Sequence, residues 1–274
     1  MGWAKQAVVS LAVISLATIA FAQTRDEGWK RCTSEDSGER ISGCTAIIEA
    51  ARESKDNLAK AYNNRGTAYD DKGDYDRAIQ DYDQAIRLNP NDAGAFNNRG
   101  YSYGRRKDYD HAIADYDEAI RLNPNYAEAY NNRGIVYRHK GDYDRAINDY
   151  NEAIRLKPKY AAAWDSRCWC RAIAGQLQEA LSDCNESLRL QPNDGHTLDS
   201  RGFAYLKMRK YAEAIADYDA ALKVSPNLAS SFYGRGLAKG ATGDKAGADA
   251  DIAAARQIKP GIAENFKQYG IVDP

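Results

Sequence analysis

The sequence has few of the residues and spacings that reactive sites use. It contains only three histidines and five cysteines, and His111, His139 and His196 are far apart. No cysteine and histidine spacing matches a zinc site. No glycine-rich phosphate loop and no nucleophile paired with a base is present at a recognisable spacing. We therefore predict a protein that is not an enzyme and that carries no metal and no cofactor.

An excess of positive charge is also missing. The 38 lysines and arginines nearly balance 39 aspartates and glutamates, which gives a formal net charge of -1, and no run of basic residues occurs. Nucleic-acid-binding proteins usually carry a basic stripe that neutralises phosphates. We therefore expect no nucleic-acid partner.

One apolar stretch stands apart from the rest of the chain, at its N-terminus. Lys5 precedes the apolar residues Ala7–Ala20, and small residues lead to an expected cleavage between Ala22 and Gln23. The stretch is shorter than the about 20 residues that span a bilayer, which favours a signal peptide over an uncleaved anchor. We expect an exported chain, periplasmic or secreted, without stable membrane insertion.

The main feature of the sequence is a 34-residue repeat that runs from Ala59 to Ile262. In its first copy, the apolar spacing predicts one helix over residues 61–72 and a second over residues 75–88, separated by a turn at Gly73. Small residues recur where the two helices would approach each other. The sequence therefore predicts an antiparallel helix hairpin repeated head to tail, in which neighbouring copies complete each other's core.

The repeating unit resembles a tetratricopeptide repeat. The family pattern of aromatic, Gly, Tyr, Ala, aromatic, Ala and Pro is matched by Tyr62, Gly66, Tyr69, Ala78, Tyr82, Ala85 and Pro90. The resemblance implies an all-α fold, a right-handed superhelical solenoid of tetratricopeptide helix hairpins, with the first helix of each unit lining the concave face. It also implies that this face binds an extended or helical segment of another protein.

The resemblance also divides the chain into segments. They are a signal peptide (1–22), a degenerate N-terminal capping hairpin (23–58), six tetratricopeptide repeats (59–92, 93–126, 127–160, 161–194, 195–228, 229–262) and a C-terminal capping helix with a tail (263–274). We expect Phe266 and Tyr269 of the capping helix to lie on the sixth repeat.

Export makes the cysteines candidates for disulfide bonds. In the fourth repeat, Cys168 replaces the small glycine and Cys184 replaces the core aromatic residue, at matching levels of the two helices. We predict a Cys168–Cys184 bond there and a Cys32–Cys44 bond in the N-terminal hairpin. Cys170 is the expected free thiol, with a Cys170–Cys184 bond as the alternative.

An arginine and an aspartate recur at fixed positions in all six repeats. The arginines are Arg65, Arg99, Arg133, Arg167, Arg201 and Arg235, and the aspartates are Asp81, Asp115, Asp149, Asp183, Asp217 and Asp251. We interpret them as pairs in which each arginine packs its stem and binds its aspartate, which holds the repeat register. The alternative is a charged ladder for anionic ligands.

A recurring apolar position marks the candidate peptide-binding groove. It holds Thr67 in the first repeat and then Tyr101, Ile135, Trp169, Phe203 and Leu237. Four residues earlier, on the same helical face, are Asn63, Asn97, Asn131, Asp165 and Asp199. We predict that the polar residues hold the backbone of a bound peptide while the apolar stripe takes its side chains. The alternative is that the apolar residues pack the first helices against each other.

These features favour a non-catalytic exported scaffold or adaptor that binds a protein or peptide segment in the concave groove. Two alternatives to this scaffold remain open. One is an accessory subunit of a cell-envelope enzyme, and the other is a self-associating structural element, that is, a homo-oligomer.

Overall fold

The computed structural model of the chain describes residues 24–271, and this part is entirely helical. A first helix, α1, covers residues 24–32. The others are α2 (Ser37–Ala50), α3 (Lys55–Asp71), α4 (Tyr75–Leu88), α5 (Ala93–Arg105), α6 (Tyr109–Leu122), α7 (Ala127–His139), α8 (Tyr143–Leu156), α9 (Ala161–Ile173), α10 (Leu177–Leu190), α11 (Gly195–Lys207), α12 (Tyr211–Val224), α13 (Ala229–Ala241), α14 (Lys245–Ile258) and α15 (Ile262–Gln268). The predicted signal peptide lies outside the described residues. No helix within residues 24–271 has the length and apolar character that a membrane crossing needs.

Each repeat is a hairpin of two helices joined by a tight turn. Between α3 and α4, Gly73 has a φ of +75°, which glycine adopts without a steric penalty. The next residue, Asp74, accepts a hydrogen bond from the backbone N–H of Arg77 and so caps the second helix. The turn and the cap together reverse the chain within a few residues.

The two helices of a hairpin approach each other where a glycine faces a tyrosine ring. A Cβ atom placed on Gly66 would come within 2.8 Å of Tyr82. Four of these rings are almost completely buried: Tyr82, Tyr116, Tyr150 and Tyr218. The contact therefore requires a small residue on the first helix.

The helices form two compact units, residues 1–124 and residues 125–274. The described part of unit 1 contains α1 to α6, and the described part of unit 2 contains α7 to α15. In unit 1, the structure links Cys32 to Cys44, and both pack against Ile47 and Ala61. This small core joins the N-terminal hairpin to the first repeat.

The α9–α10 hairpin of unit 2 uses a different contact from its neighbours. The structure links Cys168 to Cys184, with their Cα atoms 5.4 Å apart. Arg171 stands where the other repeats have tyrosine or lysine, and it donates a hydrogen bond of 2.7 Å to Asp183. Cys170 is buried and unbonded, and burial raises the pKa of its thiol to about 12. A thiol with such a pKa remains protonated and unreactive at neutral pH.

The recurring arginines and aspartates form one ion pair in every repeat. Arg65 binds Asp81, Arg99 binds Asp115, Arg133 binds Asp149, Arg167 binds Asp183, Arg201 binds Asp217 and Arg235 binds Asp251. Several of these arginines also contact the preceding hairpin, as Arg99 does through a 2.6 Å bond to Asp83. These guanidinium groups thus join the two helices of a hairpin to the preceding one. This arrangement favours the register interpretation, because every guanidinium already binds a carboxylate.

Candidate functional site

The predicted groove residues of unit 1 differ in exposure and in hydrogen bonding. Asn63 accepts a 3.2 Å hydrogen bond from Asn98, and Asn97 is buried. Tyr101 on α5 is 41% exposed, and the guanidinium of Arg105 lies 5.9 Å from the centre of its ring. Within the described part of unit 1, Tyr101 is the single bulky member of the predicted stripe.

The predicted stripe of unit 2 lies on a surface that we call the first-helix face. It carries Ile135 on α7, Trp169 on α9, Phe203 on α11 and Leu237 on α13. Trp169 and Phe203 are in contact, with their ring centres 4.8 Å apart. Phe203 is only 1% exposed and Leu237 only 6% exposed. Both interpretations of the stripe thus have a structural basis here, because its members contact each other and also bury against a further element.

That further element is α15, the short helix near the C-terminus. Phe266 of α15 packs against Tyr233, with ring centres 4.8 Å apart, and against Phe203 at 5.7 Å. Tyr269, three residues further along the chain, lies edge-on to Trp169, with ring centres 5.4 Å apart. We expected these two rings to lie on the sixth repeat, where Phe266 contacts Tyr233. They reach α9 and α11 as well, so α15 occupies the first-helix face.

The end of α15 is held by backbone contacts. Gly270 has a φ of +83°, and the N–H of Ile271 bonds back to the carbonyl of Phe266 at 2.9 Å, as in a glycine-terminated helix. Lys207 on α11 donates a 3.2 Å bond to the carbonyl of Tyr269. The burial of Lys207 lowers the pKa of its ammonium group.

A polar cavity of about 750 Å³ adjoins α15 on the first-helix face. Its walls include Arg138, Tyr143, Ser166, His196, Ser200 and Ser230. Two predicted groove residues, Asp165 and Asp199, lie in it, and the rings of Trp169, Phe266 and Tyr269 border it. The third predicted polar residue of unit 2, Asn131, is buried and lies outside the lining.

The two aspartates of the cavity have different surroundings. Asp199 accepts hydrogen bonds from Ser230 at 2.8 Å and Ser231 at 2.5 Å, and burial raises the pKa of its carboxyl group. Asp165 receives fewer hydrogen bonds, because its Oδ1 atom is buried with no hydrogen-bond partner within residues 24–271. Burial raises the pKa of Asp165 to about 6, and the contact with Ser200 offsets part of that effect.

The arrangement is suited to binding a ligand. The cavity combines two carboxylates, hydroxyl groups and aromatic rings, which serve to hold a ligand. In the described part of the chain, no group of three histidine, cysteine, aspartate or glutamate side chains has the geometry to hold a metal. Sequence reasoning missed Arg138, Ser230 and Tyr233, because it followed only one groove position and the position four residues before it.

Comparison with known proteins agrees with the repeat. Models of the tetratricopeptide repeat family match residues 59–92, 97–161, 131–195 and 202–243, which together exceed half of the chain. No curated protein matches the chain in sequence.

Several solved structures resemble the fold over most of the chain. A tetratricopeptide repeat protein from Parabacteroides merdae ATCC 43184 is 22% identical, with 92% of this chain and 99% of that chain covered and a TM-score of 0.69. PilW, a type IV pilus biogenesis factor, is 19% identical over 74% of this chain and 94% of its own, with a TM-score of 0.67. YrrB, a tetratricopeptide repeat protein with an unusual peptide-binding site, is 23% identical over 68% and 97%, with a TM-score of 0.53. At these identities the likeness shows the fold alone.

Proposed function

Because the chain belongs to the tetratricopeptide repeat family, we propose that it is a non-catalytic scaffold that binds a segment of another protein. The binding surface is the first-helix face of unit 2, where Trp169, Phe203 and Leu237 lie. Structures of this family offer repeated helices as an extended surface. The described peptide-binding site of YrrB supports the same use of this fold here.

The proposal rests on the packing of α15 against the first-helix face. A helical segment with two aromatic rings already lies on this face, with Phe266 buried between Tyr233 and Phe203. The face therefore has the shape and the apolar surface to hold a short helix. Large aromatic side chains in such pockets supply much of the binding energy of protein interfaces.

The same contacts define the chemistry of the partner segment. Ile262, Phe266 and Tyr269 are four and then three residues apart, so they share one face of a helix. A partner helix with an aliphatic residue and two aromatic residues at this spacing presents the same side chains, in the helix-in-groove mode. It competes with α15 for the face, so the affinity of a partner depends on how readily α15 leaves.

Export is part of the proposal. The sequence of residues 1–22 has the layout of a signal peptide, and the two disulfide bonds suit an oxidising compartment. A scaffold outside the cytoplasm is also consistent with the fold of PilW, a pilus biogenesis factor.

Photo-cross-linking in the producing cell tests this function. A photo-reactive phenylalanine analogue replaces Trp169, and a matched control carries it at Val224, an exposed apolar residue on α12. We expect position 169 to cross-link to another protein, at a helical segment with aromatic residues, and position 224 to give no such adduct. Equal labelling from both positions, or adducts at neither, contradicts the proposal. Adducts to a second copy of the chain support the self-associating alternative.

A further inference from the structure

The cavity beside α15 contains two side chains of opposite charge, Arg138 and Asp165, whose hydrogen-bonding capacity is not filled within residues 24–271. The guanidinium of Arg138 lines the cavity and forms no ion pair or hydrogen bond with the rest of residues 24–271. Asp165 lines the same cavity with a buried Oδ1 atom that no donor reaches. Both side chains line the same cavity, yet they do not form an ion pair with each other.

Comparison between repeats shows that Arg138 is not part of the common scaffold. The residues at its position in the other repeats are Asp70, Gly104, Ala172, Leu206 and Gly240. An arginine at this point is therefore specific to α7. The recurring arginines that hold the repeats in register lie elsewhere, and each binds its own aspartate, as Arg133 binds Asp149 on the same hairpin.

Asp165 also differs from the equivalent residue of the next repeat, Asp199, in its hydrogen-bond donors. Asp199 receives bonds from Ser230 and Ser231, and the residues 34 positions earlier are His196 and Thr197. Thr197 donates its hydroxyl hydrogen bond to Asp194 at 2.9 Å. His196 is exposed at the cavity wall. The two hydroxyls that bond to Asp199 thus have no counterpart at Asp165, which contacts the hydroxyl of Ser200 instead and keeps its Oδ1 atom without a donor within residues 24–271.

A buried carboxylate oxygen without a donor costs folding free energy. Native structures retain few such groups, and those that remain often belong to functional sites. The cavity volume of about 750 Å³ falls within the range of small-molecule sites. Unpaired charge and available space therefore coincide at one place.

We propose that this cavity binds a small zwitterion, an amino acid or a short peptide, whose carboxylate pairs with Arg138 and whose ammonium group pairs with Asp165. A plain anion meets repulsion from Asp165, and a plain amine meets repulsion from Arg138. A ligand with both charges satisfies both side chains. The hydroxyls of Ser166 and Ser200 offer further hydrogen bonds, and Trp169 provides an apolar wall for the ligand's side chain.

The zwitterion site is distinct from the proposed protein-binding function and does not depend on it. Its test uses small molecules alone, so a negative result leaves the binding of a partner helix untouched. The two sites share one border, since Trp169 and the rings of Phe266 and Tyr269 also line the cavity.

Calorimetric titration of the full chain tests the zwitterion site. The probes are the twenty amino acids and trialanine, with 2-phenylethylamine and 3-phenylpropanoate as analogues of phenylalanine that lack one charge. We expect at least one zwitterion to bind, and its analogues that lack the carboxylate or the ammonium group to bind at least tenfold more weakly. Whichever class of probe binds with the higher affinity, amino acids or the peptide, shows which class of ligand the site takes.

Two variants complete the test, and each introduces a residue that the chain already has at the same repeat position. Asp165→Asn copies Asn131, and Arg138→Ala copies Ala172, so both are expected to keep the helicity of the parent chain. Each is expected to weaken binding of the zwitterion at least tenfold. The proposal is overturned if no zwitterion binds, if the single-charge analogues bind equally well, or if both variants retain the parent affinity.

Discussion

The α7–α8 and α9–α10 hairpins have the same architecture, but different contacts hold their two helices together. In the first, Gly134 lies under the ring of Tyr150, where a Cβ atom would come within 2.8 Å. In the second, the same two positions hold the bonded pair Cys168 and Cys184. The hairpin geometry therefore tolerates either a ring on a glycine or a covalent bond.

The two hairpins also differ on the first-helix face. Where α7 carries Asn131 and Ile135, α9 carries Asp165 and Trp169, and the latter pair borders the polar cavity and α15. The difference shows that the face can acquire charge and aromatic surface while the hairpin beneath it stays the same. Binding properties and fold are thus encoded at separate repeat positions.

The largest expected effect comes from removing the covalent bond. Cys168→Ser with Cys184→Ser is expected to lower the free energy of unfolding by about 3 kcal/mol, because the unfolded chain regains the freedom that the bond removes. Urea unfolding followed by circular dichroism measures it. As a matched variant, Cys168→Gly with Cys184→Tyr recreates the contact of α7–α8 and is expected to recover part of the loss. A serine variant as stable as the parent would show that the bond contributes nothing.

The next effect comes from filling the close contact in the other hairpin. Gly134→Ala is expected to cost about 1–3 kcal/mol, because the added Cβ overlaps the buried ring of Tyr150. Gly240→Ala in α13 is the control, since its Cβ would meet Ala248 at an ordinary 3.5 Å. The control is expected to be neutral or slightly stabilising, because alanine favours helix. Equal costs for the two changes would contradict the close-contact account.

A pH-dependent effect concerns the charge that distinguishes α9 from α7. The pKa of Asp165 is raised by burial to about 6, so between pH 4 and 6 the folded chain binds more protons there than the unfolded chain. The free energy of unfolding therefore falls as the pH rises through this window, by about 1.4 kcal/mol for each unit by which the pKa is raised, and stays lower above it. Asp165→Asn is expected to remove this dependence.

The opposite exchange, from asparagine to aspartate, tests the same pH dependence in α7. Asn131→Asp places a carboxylate at the matching buried position of α7 and is expected to add a dependence of the same sign. Urea unfolding at a series of pH values measures both variants. An unchanged profile in Asp165→Asn would mean that this carboxyl titrates as it does in the unfolded chain.

Much of the fold was predictable because it is periodic. The repeat of Gly66 and Tyr82 through the chain, with turn glycines such as Gly73, fixes helix, turn and contact at regular intervals. The departures at Cys168 and Cys184 indicated a local change of contact for the same reason, since both positions depart together. Periodicity compares equivalent positions, so it identifies what is common and what is exceptional.

The site was only partly predictable. The stripe residue Phe203 was identified from its repeat position, but its burial under Phe266 was not, because α15 lies outside the periodic sequence and the path of a short segment depends on tertiary contacts. Arg138 was missed although it is an arginine at a position that other repeats fill with small or apolar residues or an aspartate. That exception was the available signal, and reading every repeat position for exceptions would have found it.

The central claim, that the first-helix face of unit 2 is a receptor for a short aromatic helix, is tested most directly by a peptide titration. The full chain with Phe266→Ala and Tyr269→Ala keeps its length but loses the rings that seat α15. A labelled peptide of residues 260–271 is titrated into this variant and into the parent, and fluorescence anisotropy reports binding.

We expect the variant to bind the peptide at least tenfold more tightly than the parent, whose own α15 competes at a high effective concentration. Adding Trp169→Ala to the variant is expected to abolish binding while helicity is kept. Absence of saturable binding by the folded variant, or equal binding after Trp169→Ala, would contradict the claim.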